Sequence, residues 1–257
     1  MRLFIAIFLF LIFGFQQLSA QSGDEKTVHI IVALCDNHSQ GIAPVPAKIG
    51  NGFKPADNLY WGAYYGVKAV FNRNSEWKLV KSEKNPDNHI LERCVYKNTS
   101  KNVYIVADAY VGNRIVNAVE DYLKACAGTI NKSVIIDGKS INFAGDSDLV
   151  AYVGHNAMIE YDMSPYPINV SSKTRDAITL GCYSKKYFDE AIRVSGVNPL
   201  IWTTGAMAPE AYILEGAIKG WLKKESDEQI RKRAAQAYCK YQKCSYSAAH
   251  NLLVTGW

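Results

Sequence analysis

Two short stretches carry the residue types for covalent chemistry. In "DLVAYVGHNAMIEYDM", residues 148–163, an apolar run from Leu149 to Val153 stops at Gly154 and delivers His155. Twenty-seven positions on, "DAITLGCYS" repeats the device: Ile178, Thr179 and Leu180 run into Gly181 and deliver Cys182. A free thiol is a weak nucleophile at neutral pH because little of it is ionised. An adjacent imidazole or helix N-terminus favours the thiolate. Cys182 precedes an expected helix, whose first N–H groups attract negative charge, and His155 ends a strand expected to be a neighbour. Together they suit acyl transfer, with Cys182 attacking and His155 protonating the leaving amine. Gly154 and Gly181 would let the backbones approach and offer N–H groups to an oxyanion. The plainer alternatives are a buried or disulfide-bonded Cys182 and a merely hydrogen-bonded His155 at a strand end.

Positioning these residues falls to alternating elements. "TVHIIVALC", "NVYIVADAY", "LVAYVGH", "AITLGC" and "PLIWTTG" are uninterrupted apolar runs, as strands buried on both faces require. "EWKLVKSE" and "HILERCVYK" flank the turn signal "KNPDN", and "SVIIDGKSINF" predicts a hairpin at Asp137-Gly138. Helices are expected over "PADNLYWGAYYGVKAVF" with Asp57 as cap, and over "GNRIVNAVEDYLKACAG" between Asn113 and Gly128. A short one covers "KKYFDEAIRVSG", another opens at Pro209, and Ser226 with Gln229 makes a capping-box pattern before "IRKRAAQAYCKY". A last helix covers "YSAAHNLLVTG". Strands alternating with helices imply an α/β fold, a three-layer sandwich around a mostly parallel central sheet.

Sites in such sheets form at the carboxyl ends of the strands. There the sequence places Cys35-Asp36-Asn37-His38, Asp108, His155, Cys182 and Thr203-Thr204. His38, beside Asp36 and Cys35, reads as loop polarity or a metal ligand. Asp108 reads as a site residue or a cap for the helix after it. Tyr60, Trp61, Tyr64 and Tyr65 read chiefly as packing, with one ring available to line a cleft.

A histidine ending one strand and a cysteine ending the next, each after an apolar block, resembles the caspase-like cysteine peptidases: caspases, legumains, clostripains and gingipains. The resemblance spans roughly Val28 to Gly205 and implies a caspase-like, flavodoxin-like layering. It implies His155 and Cys182 as the catalytic pair, Gly154 or Gly181 near the oxyanion, and a peptide or protein substrate. It also implies a substrate pocket beside the end of the first strand, at Asp36 to His38, where Asp36 would suit a basic side chain; Asp108 is a further candidate for substrate contact. The family usually has glycine after the histidine, where this chain has Asn156, and alanine before the cysteine, where it has Gly181. The chain also looks like a group of exported bacterial proteins carrying "YWGA", "VADAY" and "MAPEAY" blocks.

The chain has 257 residues, 48% apolar, enough for one sizeable core. "MRLFIAIFLFLIFGFQQLSA" has the n-region, the short apolar run Leu3–Phe15 and the small-residue site of a secretory signal peptide, cut between Ala20 and Gln21. The expectation is a signal peptide over 1–20 and one domain over 21–257, periplasmic or extracellular, with no stable membrane anchor. A net charge of +5 from scattered lysines points away from a nucleic-acid partner. Export permits disulfides among Cys35, Cys94, Cys126, Cys182, Cys239 and Cys244. Cys239 and Cys244 would close a small loop unless one helix runs through both, and Cys126 shares an apolar helical stripe with Ile115, Val119 and Tyr122. The spacings fit no structural zinc site, and no cofactor is implied: dinucleotide, P-loop and serine-elbow motifs are absent from the sequence. The reading is an exported cysteine hydrolase using a Cys-His dyad. The alternative is a non-catalytic ligand- or peptide-binding module on the same fold; a third reading is an interaction protein with all its cysteines paired or buried.

Overall fold

The structure, a computed structural model, describes residues 24–41 and 44–257. The expected signal peptide and its cleavage point lie outside the described residues. The first half runs β1 (Lys26–Ala33), α1 (Val67–Arg73), β2 (Trp77–Asp87), β3 (Ile90–Asn98), β4 (Val103–Tyr110) and α2 (Ile115–Ala127). A hairpin, β5 (Asn131–Ile136) and β6 (Lys139–Ala144), leads to β7 (Leu149–Val153), β8 (Asp176–Leu180), α3 (Ser184–Ser195) and β9 (Asn198–Thr203). Last come α4 (Ala211–Leu222), α5 (Asp227–Gln242), α6 (Tyr246–Leu252) and β10 (Leu253–Val254).

Eight strands form one mixed sheet in the order β10-β9-β8-β7-β1-β4-β3-β2. The central strands β4, β1, β7, β8 and β9 pair in parallel. β3 and β2 extend one side antiparallel, and β10 closes the other. Side chains alternate across a strand, so β1 sends Val28, Ile30 and Val32 into one core and Ile31 and Ala33 into the other. The first core is covered by α1, α4, α5 and α6, through Phe71, Ile213, Ala234 and Ala249. The second lies under α2, α3 and the β5–β6 hairpin, through Tyr122, Phe188 and Phe143. Burial on both faces is why these strands read as unbroken apolar runs.

α2 forms as its spacing predicts: Ile115, Ala118, Val119, Tyr122, Leu123 and Cys126 are buried on one face. Gly128, at φ 71°, stops it and donates to the Ala125 carbonyl. The Ser226–Gln229 capping box is present in both directions at the head of α5. Asp137 (φ 49°) and Gly138 (φ 79°) make the expected tight turn of the hairpin.

Three helix starts differ from expectation. Residues 55–66 turn rather than coil, and α1 begins only at Val67. The cause is Asn58, which is fully buried. Its Oδ1 accepts from the Cys35 N–H (3.0 Å) and the Tyr60 N–H (3.2 Å), and its Nδ2 donates to the Cys35 carbonyl (2.8 Å). A side chain so engaged offers the backbone an alternative to the helix. Asn113 sits in a single 3-10 turn and makes no side-chain cap before α2. α4 opens at Ala211, two residues beyond Pro209, with Glu210 as its flanking residue.

All six cysteines are free. α5 stops at Gln242, between Cys239 and Cys244, and the Cys239 thiol donates to the Cys244 carbonyl (3.0 Å) instead of bonding its sulfur.

Candidate functional site

β7 lies between β1 and β8, in register with both: Val153 stands opposite Val32 on one side and Leu180 on the other. The chain leaves β7 through Gly154 to His155 and leaves β8 through Gly181 to Cys182. The two candidate groups therefore exit side by side from adjacent parallel strands. Both line one cleft of about 320 Å³, together with Gly41, Val45, Tyr60, Gly154, Met207 and Pro209.

Gly154 is dictated by packing. A Cβ there would stand 2.9 Å from the Ala33 Cβ and 3.0 Å from the Ala33 carbonyl oxygen. Its N–H donates to the Leu180 carbonyl (3.1 Å), so it is engaged in the sheet and is not an oxyanion donor. Gly181 is less tightly set: its Cβ position is 3.3 Å from the Gly154 carbonyl oxygen.

The turn carrying Cys182 is held from several sides. Tyr183, next in sequence, has φ 53° and ψ 31°, a left-handed conformation uncommon for a bulky residue. Its N–H donates to the Gly205 carbonyl (2.9 Å). Ser184 donates its hydroxyl to the Thr179 carbonyl (2.8 Å), and its N–H reaches Thr203 Oγ1 (3.1 Å). Thr203 in turn donates its hydroxyl to the Gly181 carbonyl. Buried Thr203 is thus a staple for the turn, while exposed Thr204 donates its hydroxyl to the Asn251 carbonyl (2.9 Å). The sulfur of Cys182 accepts from the Met207 N–H (3.4 Å), and α3 starts two residues later.

Asn156 joins the two strand ends. It is fully buried; its Nδ2 donates to the Cys182 carbonyl (2.7 Å), and its Oδ1 accepts from the Met158 N–H (3.0 Å). The second bond caps a 3-10 turn over Ala157–Ile159, which brings Glu160 back so that its Oε1 lies 3.0 Å from His155 Nε2. The His155 carbonyl accepts from the Tyr152 hydroxyl (2.6 Å). Neither Asn156 nor Glu160 is a site residue on sequence reasoning. The signal available was an Asx residue two positions before the N–H of a short turn.

The other candidates sit elsewhere. Asp36 is buried at the foot of its loop; Oδ1 accepts from the His38 N–H (3.0 Å) and Oδ2 from the Ser39 hydroxyl (2.7 Å). Its carboxylate closes a turn and does not line the cleft. His38 is exposed, and among the described residues no group of three or more His, Cys, Asp or Glu is placed to hold a metal. Asp108 is not at the carboxyl edge. It lies within β4, level with Ile31, which is level with Tyr152. Its carboxylate takes both Arg93 Nε (2.7 Å) and a second Arg93 nitrogen (2.8 Å), and meets His29 Nε2 at 3.1 Å. It therefore neither contacts the cleft nor caps α2.

The cysteines divide into two groups. Burial pushes the Cys35 thiol up to about 11 and the Cys126 thiol to about 12, and Cys94 is raised for the same reason. These three stay protonated at neutral pH. Cys182, Cys239 and Cys244 are half-buried. Tyr60, beside both Cys35 and Cys182, is held protonated by burial.

Compared with known protein families, with curated proteins and with solved structures, the chain matches none. Among the described residues no helix is long and apolar enough to cross a membrane.

Proposed function

We propose that this protein is an exported cysteine hydrolase of the caspase-like type, with Cys182 as nucleophile and His155 as its acid–base partner. The observation that carries this is the cleft that both residues line, at the adjoining carboxyl ends of parallel strands β7 and β8. The head of α3 adds positive potential for a thiolate, while the Met207 backbone meets the sulfur both ways, its N–H donating (3.4 Å) and its carbonyl accepting from the thiol (3.6 Å).

The step is acyl transfer. The Cys182 sulfur forms a bond to the substrate carbonyl carbon while its proton rests on His155. The carbon–nitrogen bond breaks as His155 returns that proton to the leaving amine. Water, deprotonated by His155, then hydrolyses the thioester and restores the thiol. The oxyanion role, closed to Gly154, passes to Gly181 in this reading. With Asp36 occupied inside its own loop, the reason for expecting a basic side chain is gone. Val45, Tyr60, Met207 and Pro209 instead favour an apolar group beside the scissile bond.

The test is differential alkylation of the native protein, followed by turnover. Iodoacetamide should label Cys182 faster than Cys239 or Cys244, and His155→Ala should slow that labelling near neutral pH. Cys182→Ala should abolish hydrolysis of peptide amides or thioesters without changing the melting temperature by more than a few degrees. An unreactive Cys182 sinks the hydrolase and leaves a binding module built on the same cleft.

A further inference from the structure

A dyad histidine works only if its ring is held in one orientation and the correct nitrogen faces the thiol. Nothing in the strand-end argument supplies that hold. Among the described residues the ring of His155 has one side-chain hydrogen-bond partner, the Glu160 carboxylate, at 3.0 Å from Nε2. Glu160 is placed there by construction: the Asn156 side chain caps the 3-10 turn, and the Glu160 N–H donates to the Ala157 carbonyl (3.0 Å). The carboxylate also packs directly on Gly41. A Cβ built at Gly41 would fall 2.3 Å from Glu160 Oε1, so any side chain there would push the carboxylate from this place. Asn156 holds the Cys182 carbonyl with the same side chain, so one residue sets both the thiol turn and the glutamate turn.

We infer that Glu160 is a positioning residue for His155, fixing Nε2 so that Nδ1 exchanges the proton with Cys182 and the leaving group. This rests on the cysteine-hydrolase reading of Cys182. A carboxylate bonded to one ring nitrogen holds the ring in place and stabilises the imidazolium that the acyl-transfer step forms. The titratable groups around Tyr60 at this corner are Cys35 beyond β1, Tyr152 on β7 and Glu210 ahead of α4, with Tyr238 of α5 near Cys182; Glu160 itself shares an outer pocket with Tyr161, Asp162, Tyr166 and, from α3, Lys186 and Tyr187. Tyr60 and Tyr152 are held protonated by burial, and burial raises Glu210.

The experiment is the rate of Cys182 alkylation by iodoacetamide against pH, read by mass spectrometry on the full chain. It compares the wild type with Glu160→Gln and Gly41→Ala. Glu160→Gln should slow labelling at neutral pH roughly threefold to tenfold, below the range for a buried charge-assisted bond because the carboxylate is partly solvated. It should move the midpoint of the profile to higher pH and leave the rate at high pH, where the thiol is fully ionised, unchanged. Gly41→Ala keeps the charge but displaces it, and should move the midpoint the same way. A narrowed cleft would lower the rate equally at every pH and leave the midpoint in place. A profile unmoved by Glu160→Gln, in a protein whose Cys182 is reactive, overturns the role of Glu160 alone. A wild-type Cys182 that is inert at all pH values overturns the hydrolase reading, and this inference with it.

Discussion

His29 meets Asp108 at 3.1 Å, and His155 meets Glu160 at 3.0 Å. The first pair is sealed in the sheet, both residues at 1% exposure or less, and Arg93 takes both carboxylate oxygens. Phe143 lies edge-on to the His29 ring and under the Arg93 guanidinium. The second pair sits where the strands end, with its carboxylate 32% exposed and its imidazole on a cleft that holds a thiol. Nearly equal hydrogen bonds thus serve different ends. In the sheet, burial drives His29 below its ordinary 6.5, while Arg93 and His29 hold Asp108 below its ordinary 3.8 against burial. A neutral His29 donates Nε2–H to Asp108, and among the described residues its buried Nδ1 has no hydrogen-bond partner. That ring is closed off from solvent and from the cleft. What sets the two pairs apart is the company of the carboxylate and access to a cleft with a thiol on its wall, not the length of the bond.

The largest effect that would sharpen this contrast comes from Asp108→Ala. It strands Arg93 and His29 in the core and should lower unfolding free energy by about 3–5 kcal/mol, read by urea denaturation. A loss near zero would mean that the buried network is dispensable. Asn156→Ala comes next. It removes two buried hydrogen bonds at the junction of the strand ends and should cost about 1–3 kcal/mol. It should also weaken the preference of iodoacetamide for Cys182, which a purely structural bond far from the cleft would not do.

The smallest effect is the pH dependence of the buried pair. Since His29 binds its proton less readily folded than unfolded, the unfolded chain takes up more protons below 6.5. Its contribution is therefore present above that pH and is lost as pH falls from 6.5 towards the folded value. The depressed Asp108 acts in the same direction, in a window at and below 3.8. The melting temperature should fall on going from pH 7 to pH 5, and His29→Gln should flatten that fall. An equal slope in both proteins would show that another group titrates there.

The parts of the fold governed by local rules were legible in the sequence. Unbroken apolar runs located the central strands, Gly128 and Gly196 ended their helices, and Ser226 with Gln229 opened α5. The pairing of His155 with Cys182 in one cleft also followed, because matching strand ends are a consequence of parallel neighbours. What escaped depended on partners far off in sequence. The run "VYIVA" reads as ending at Asp108 only because that residue is charged. β4 continues to Tyr110, and the charge is met by Arg93 directly opposite on β3. Asp36 looked free because its acceptors are filled by its own loop. The helix expected from Asp57 failed because Asn58 is committed to Cys35 on another segment.

The walls of the cleft come from Val45, Tyr60, His155, Cys182 and Pro209, positions scattered over most of the chain. No short fragment contains it, and each wall is delivered by a different strand end or turn. High sequence separation of this kind slows folding, because loop closure precedes the contacts that reward it. The cleft exists only when all of these segments have met, and a chain still emerging from the ribosome has no cleft before Pro209 is out. Any binding or chemistry that needs the assembled cleft is therefore open only to a chain in which these distant segments have met.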